Sequence, residues 1–318
     1  MAYQRLSKSK RALVLSALCE GTPINAVARM FGVGKNSIAR VIEETGEALS
    51  HYMRENFRDL PCKRIELDEQ WQYVGKHGQR MQKKERERCD FWLWAAIDAD
   101  TKIVFSFLVA RRDWQASEDF VEDVSKRVRK PVQIATDQHR SYAKHIRAFF
   151  GYEGYSYGTE TKIFGEPGRF NPDGWPESRK NGIPPIVTSE REAVIGSPDL
   201  GSLTTSHIER VFLSVRQQLT RFTRSTLGYS KNLRMHKLSV ALYLGIYNLV
   251  RKHKTLGTTP AVAACIDEKP WALEDVVEMT DAYWQPKYEA QKQAAALAKR
   301  GVEDEIFFAA LKIRKTIT

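Results

Sequence analysis

The stretches RIELDEQWQYV (residues 64–74), FWLWAAI (91–97), IVFSFLV (103–109) and PVQIATD (131–137) decide the fold. Each is a short run rich in aromatic and β-branched residues, the composition of a strand. In the first, Ile65, Leu67, Trp71, Tyr73 and Val74 carry the apolar pattern, with Asp68 and Glu69 in its middle. Asp98-Ala99-Asp100-Thr101 joins the second run to the third as a hairpin turn, so Asp98 and Asp100 read as turn formers rather than ligands. Between the third and fourth, Phe120, Val121, Val124 and Val128 recur at helical spacing within residues 117–128.

The order strand, strand, strand, helix, strand predicts an α/β fold with a ribonuclease-H-like mixed sheet and flanking helices. In that topology the first and fourth strands lie side by side at the centre, which brings Asp68 and Asp137 together. Two carboxylates that close repel unless a cation sits between them. A third acid, Glu209, stands beside an apolar stripe of Ile208, Val211, Phe212, Val215, Leu219 and Phe222, where a helix on the sheet can aim it at the strand ends. Oxygen ligands suit Mg²⁺. Two ions about 3.5–4 Å apart would activate a water or a 3′-hydroxyl for in-line attack on phosphate, with Mn²⁺ an expected substitute. Taken singly, Asp137 also suits a helix cap, Asp68 a strand-edge charge and Glu209 an ordinary helix acid. Glu69 is expected on the face opposite Asp68. His139 and His207 flank the acids and are read as supporting them, because neutral imidazole is a poor Mg²⁺ ligand. Trp92 and Trp94 read as core.

Upstream, residues 8–19, 24–31 and 36–49 form three predicted helices, with Gly32-Val33-Gly34 as a tight turn between the last two. This is the pattern of an all-α helix-turn-helix domain preceding the sheet. Its third helix would present Lys35, Asn36, Ser37 and Arg40 to the major groove, where Asn and Arg make bidentate contacts with adenine and guanine. The chain of 318 residues carries a net charge of +11, which points to double-stranded DNA as the partner. Residues 207–254 hold ten of the basic residues and a single acid, Glu209, and from them Arg216, Arg221 and Arg224 are assigned to DNA phosphate. The basic run 76–88 reads as an exposed loop.

With 42% apolar residues the chain has ample core, which excludes a wholly disordered protein. Its longest nearly apolar run, 240–250, is broken by Gly245 and Asn248 and falls short of the roughly 18 residues of a membrane helix, so a buried core helix is expected. No secretory signal is evident, and a cytoplasmic, DNA-associated protein is expected. Cys19, Cys62, Cys89 and Cys265 are too scattered for a disulfide framework or a structural zinc site. The division expected is 1–60 for the helix-turn-helix domain, 61–283 for the catalytic domain with an irregular insertion at about 151–206, and 284–318 for a helical tail, leaning to a surface appendage.

At its acids the chain resembles DDE transposases of the insertion-sequence-one family. The likeness rests on LDEQWQYVGK (67–76), DFWLWAAIDADTK (90–102), TDQHRSY (136–142), TSHIERVFLSVRQQLTRFTRSTLGYSK (205–231) and YNLVRKHKTLGTTPA (247–261). It runs from the N-terminal helices to about residue 277. The resemblance implies that Asp68, Asp137 and Glu209 are the catalytic triad and that Arg216, seven positions past the glutamate, contacts DNA. It also implies Mg²⁺-dependent cutting at element ends, joining to target DNA, and a homo-oligomer that pairs two ends. The best-known members carry a cysteine zinc ribbon before the helix-turn-helix, which this sequence lacks, so end recognition is expected in the tri-helical part or elsewhere. A serine recombinase would need a nucleophilic serine near the strands, and none is found. The remaining alternative is a non-catalytic DNA-binding regulator or retired transposase.

Overall fold

A computed structural model describes residues 6–75, 89–137, 141–165, 186–222 and 228–316, with side chains through 294. The basic run 76–88, His139, Arg224 and residues 166–185 of the expected insertion lie outside the described residues.

Six strands form one mixed sheet. Strands β1 (Arg64–Tyr73), β2 (Asp90–Asp98) and β3 (Val104–Ala110) run antiparallel in sequence, and Asp98 closes the β2–β3 turn by accepting from the Asp100 and Thr101 amides at 3.2 and 3.3 Å. Helix α4 (Trp114–Ser125) opens on Asp113, whose carboxylate accepts the Ala116 amide at 2.9 Å. It returns the chain to β4 (Val132–Thr136), which lies parallel to β1 from Arg64↔Gln133 to Leu67↔Thr136. The last pair of that register is one residue short of both Asp68 and Asp137.

After α5 (Tyr142–Phe150), the expected irregular insertion turns out to hold two strands. β5 (Tyr155–Phe164) pairs parallel with β4, and β6 (Ile186–Ile195) pairs antiparallel with β5. Glu160 and Lys162 interrupt the apolar alternation of β5, which hides it from a hydrophobicity reading. Helix α6 (Ser206–Gln218) and helix α7 (Leu233–Leu249) follow.

The sheet is covered on both faces. One cluster joins Leu67, Trp94 and Ile134 to Phe120, Tyr142 and also to Leu15, Ile38 and Leu49 of the N-terminal helices. The other joins Leu93, Ala95 and Ile97 to Ile208, Phe212 and Val215 of α6 and to Val240 and Tyr243 of α7. The expected core helix is therefore α7, and it touches both layers. Asn248, which interrupts its apolar run, satisfies the Val104 backbone through its amide, at 3.0 Å to N and 2.9 Å to O.

The N-terminal helices are α1 (Lys8–Cys19), α2 (Ile24–Phe31) and α3 (Lys35–Asn56). Gly32 ends α2 in the left-handed region at φ 60°, a conformation that favours glycine. α3 runs seven residues beyond its expected end because it packs along α7: a side chain at Gly46 would strike the Leu238 backbone, and one at Gly245 would lie 2.8 Å from Leu49. Core packing is thus continuous across residue 60.

Helix α8 (Pro260–Ala263) is a single turn, and α9 (Leu273–Thr316) carries through the tail without a break at 283. Its first turns are not an appendage. Arg11 pairs with Asp281 at 2.5 Å, the Trp284 indole donates to the Glu44 carbonyl at 2.9 Å, and Tyr288 donates to the Glu44 carboxylate at 2.7 Å. No helix among the described residues is long and apolar enough to cross a membrane.

Candidate active site

Asp68 sits in β1 opposite Ala95, and Asp137 immediately follows β4. Because β1 and β4 are parallel neighbours and β4 stops at Thr136, Asp137 comes out level with Asp68, partway along β1. One oxygen from each of Asp68, Glu69 and Asp137 lies within 4.8 Å of the others. Glu69 follows strand alternation toward the Trp94 and Tyr142 layer, where the Tyr142 hydroxyl donates to it at 2.9 Å, yet its carboxylate still reaches the other two acids. Strand alternation describes where a Cβ points but not how far a glutamate extends.

Arg112, lying over the Trp92 ring at 4.7 Å, pairs with Glu69 at 2.6 Å and approaches Asp137 at 3.8 Å. Burial, and then the charges of Glu69 and Asp137, push the Asp68 carboxyl up to about 8. Burial and the charge of Asp137 push Glu69 up to about 7, against the pull of Arg112. Three hard oxygen donors held this close fit a divalent ion of the Mg²⁺ or Mn²⁺ type.

Glu209 is in the first turn of α6 and is not a member of that three-carboxylate set. Its carboxylate is ion-paired with the Lys162 ammonium from β5 and accepts from the Thr205 hydroxyl at 2.9 Å. Lys162 in turn pulls the Asp68 carboxyl downward, so its charge is felt between the β1 acid and the helix acid.

Two further carboxylates hold α6 in place. Glu66, on the same face of β1 as Asp68 and 1% exposed, accepts the His207 and Ile208 amides at 2.9 and 3.0 Å, and its other oxygen lies 2.5 Å from His207 Nδ1. Glu160, two residues before Lys162 on β5, accepts the Thr205 amide at 2.9 Å. Unpaired amides at a helix start carry partial positive charge, and buried carboxylates satisfy them. The expected supporting role of His207 corresponds to this contact. Neither Glu66 nor Glu160 was picked out from sequence, although an acid two positions before Asp68 on an otherwise buried face was the available signal. Glu66→Gln turns an amide group toward donors and should cost about 1–3 kcal/mol of stability; urea unfolding that matches wild type would refute this bracing role.

Of the residues assigned to DNA, Lys35, Asn36 and Arg40 are exposed at the start of α3, and Ser37 is half-buried. Arg216 is half-buried on α6. Arg221 turns inward: its guanidinium donates to the Ser230 hydroxyl at 3.0 Å, and burial lowers its pKa. That hydroxyl also meets His236 Nδ1 at 2.7 Å, in a buried group where desolvation, and then Arg221, press the imidazole down to about 3.

A family model described as a DDE domain, of the IS240 transposase type, matches residues 84–157. The match spans β2 to the start of β5 and includes Asp137 but neither Asp68 nor Glu209, and it does not extend to the narrower insertion-sequence-one family. No curated protein matches the chain. Among solved structures the chain is similar to a piggyBac transposase synaptic complex with hairpin DNA, at 9% identity over 89% of this chain and 72% of that one, TM-score 0.38. It is also similar to the Mos1 strand transfer complex, at 10% identity over 76% and 77%, TM-score 0.22. A Mos1 transposase paired-end complex with the left transposon end is 11% identical over 49% of this chain and 59% of that one, TM-score 0.19. Overlaps this loose assign no residue.

Proposed function

We propose that the chain is a DDE-type DNA transposase that cuts at the ends of an insertion sequence and joins them to target DNA by Mg²⁺-dependent phosphoryl transfer. The observation that carries this reading is the meeting of Asp68, partway along β1, with Asp137, just past the end of the parallel β4 and inside the region that a DDE-domain model matches. Asp68 and Asp137 would hold the metal, with Glu209 completing the set and Glu69 adjoining it. Divalent ions held there would supply an activated water or 3′-hydroxyl and would offset charge on the leaving oxygen. The protein's own part is to fix the carboxylates, and Glu66 and Glu160 do so for the helix that bears Glu209.

The three N-terminal helices are read as a helix-turn-helix that recognises element ends through Lys35, Asn36, Ser37 and Arg40, with Arg216 and Arg224 on phosphate. Arg221 fits a bracing role better than a phosphate contact, because its guanidinium is engaged and mostly covered. Pairing two ends requires a homo-oligomer. The setting is cytoplasmic and DNA-associated.

A binding-only regulator draws support from the Lys162 ion pair, which occupies Glu209. Labelled duplex carrying an element end separates the readings: cutting at the end with Mg²⁺ and none with chelator is expected, whereas tight binding without cutting under either condition would favour the regulator.

A further inference from the structure

Lys162 extends from β5, next to the strand that delivers Asp137, and its side chain is 19% exposed. Its ammonium is paired with Glu209, stands 3.5 Å from the Thr205 hydroxyl and acts electrostatically on Asp68. A single positive charge therefore lies where charge from two separate acids converges. On the other side of the cluster Arg112 is committed to Glu69 and stacked on Trp92, so it is not available to Glu209. Lys162 is thus the cation that the fold places beside Glu209.

We propose that Lys162 is the resident counter-cation of Glu209, and that a divalent ion entering the site displaces its ammonium from that carboxylate. The inference rests on the metal-site reading above. An ammonium and a divalent ion compete for one carboxylate and repel each other, so each weakens the other's hold by the same factor. The lysine keeps Glu209 oriented in the metal-free protein, and it sets the ion concentration needed to fill the site.

Ca²⁺-dependent thermal stabilisation of the full chain reads this without turnover. Lys162→Met should lower the Ca²⁺ midpoint by roughly three- to tenfold, the range for a partly exposed ion pair. In a Glu209→Gln background the same substitution should shift the midpoint much less, because the direct competition is for that carboxylate and only the weaker field at Asp68 remains. A midpoint that is unchanged or raised in Lys162→Met overturns the proposal while leaving the metal site standing. Absence of any Ca²⁺ stabilisation in wild type removes the metal site and this inference with it. Should Lys162→Met not fold, acetylation of wild type read by peptide mass decides: Lys162 labelling should rise several-fold with Ca²⁺, and equal or reduced labelling overturns the displacement.

Discussion

Glu209→Gln protein should bind end-bearing DNA as tightly as wild type and cut it at least about 10²–10³-fold more slowly, the loss typical of removing one charge-stabilising group from a transition state. The substitution keeps the length of the side chain and its helix propensity, and the amide oxygen can still accept from Thr205. What disappears is the charge. A glutamate that served only to pair with Lys162 would cost little when neutralised, since half-exposed ion pairs contribute on the order of 1 kcal/mol or less. The two roles therefore differ by orders of magnitude in rate at matched DNA occupancy. Cleavage at the wild-type rate would take Glu209 out of the site and leave Asp68, Glu69 and Asp137 as its carboxylates, without the helix acid that the proposed triad requires.

Metal-free protein should lose stability as pH rises from about 4 to about 8, and Mg²⁺ should restore it. Asp68 and Glu69 titrate in the folded protein near 8 and 7, raised by burial first and by neighbouring carboxylates second, against ordinary values near 4 in the unfolded chain. Over that window the folded state holds more protons than the unfolded one, so the slope of stability with pH is negative. The contribution is fully present below the unfolded values and is lost as pH passes the folded ones. A divalent ion replaces the missing protons by binding only the folded state. Asp68→Asn should flatten the curve, and Asp68→Asn/Asp137→Asn should abolish the Mg²⁺ response. Melting temperatures measured across the window with chelator and with Mg²⁺ test both; a flat profile that ignores Mg²⁺ would refute the shared carboxylate site.

The central strands were legible because their function and their burial coincide: Leu67 and Trp94 alternate with residues of the opposite layer, and the Asp98 turn announces the hairpin. The pairing of Asp68 with Asp137 followed from strand order alone. β5 was not legible, because Glu160 and Lys162 stand where an apolar pattern would put a Val or an Ile. Those two residues answer to α6, an element more than forty positions later, and periodicity within one strand cannot register such a partner. Arg221 illustrates the converse. Net charge along residues 207–254 points to a phosphate surface, but charge counts do not distinguish a guanidinium facing water from one donating to Ser230. The boundary at 60 was drawn from a change of period, whereas α3 packs along α7, whose apolar run was read as core without a partner.

The bracing of α6 by Glu66 and Glu160 has an architectural outcome. The start of the helix is fixed from beneath, by side chains of β1 and β5, the two strands that flank β4, and not by tension in the chain that leads into it. The exposed interval at Gly196 and Ser197, just after β6, can then change in length without carrying Glu209 along. That interval is a tolerant place to graft a foreign segment or an affinity tag, and a natural lineage could lengthen it to acquire new contacts while the position of the third acid stayed inherited from the strands.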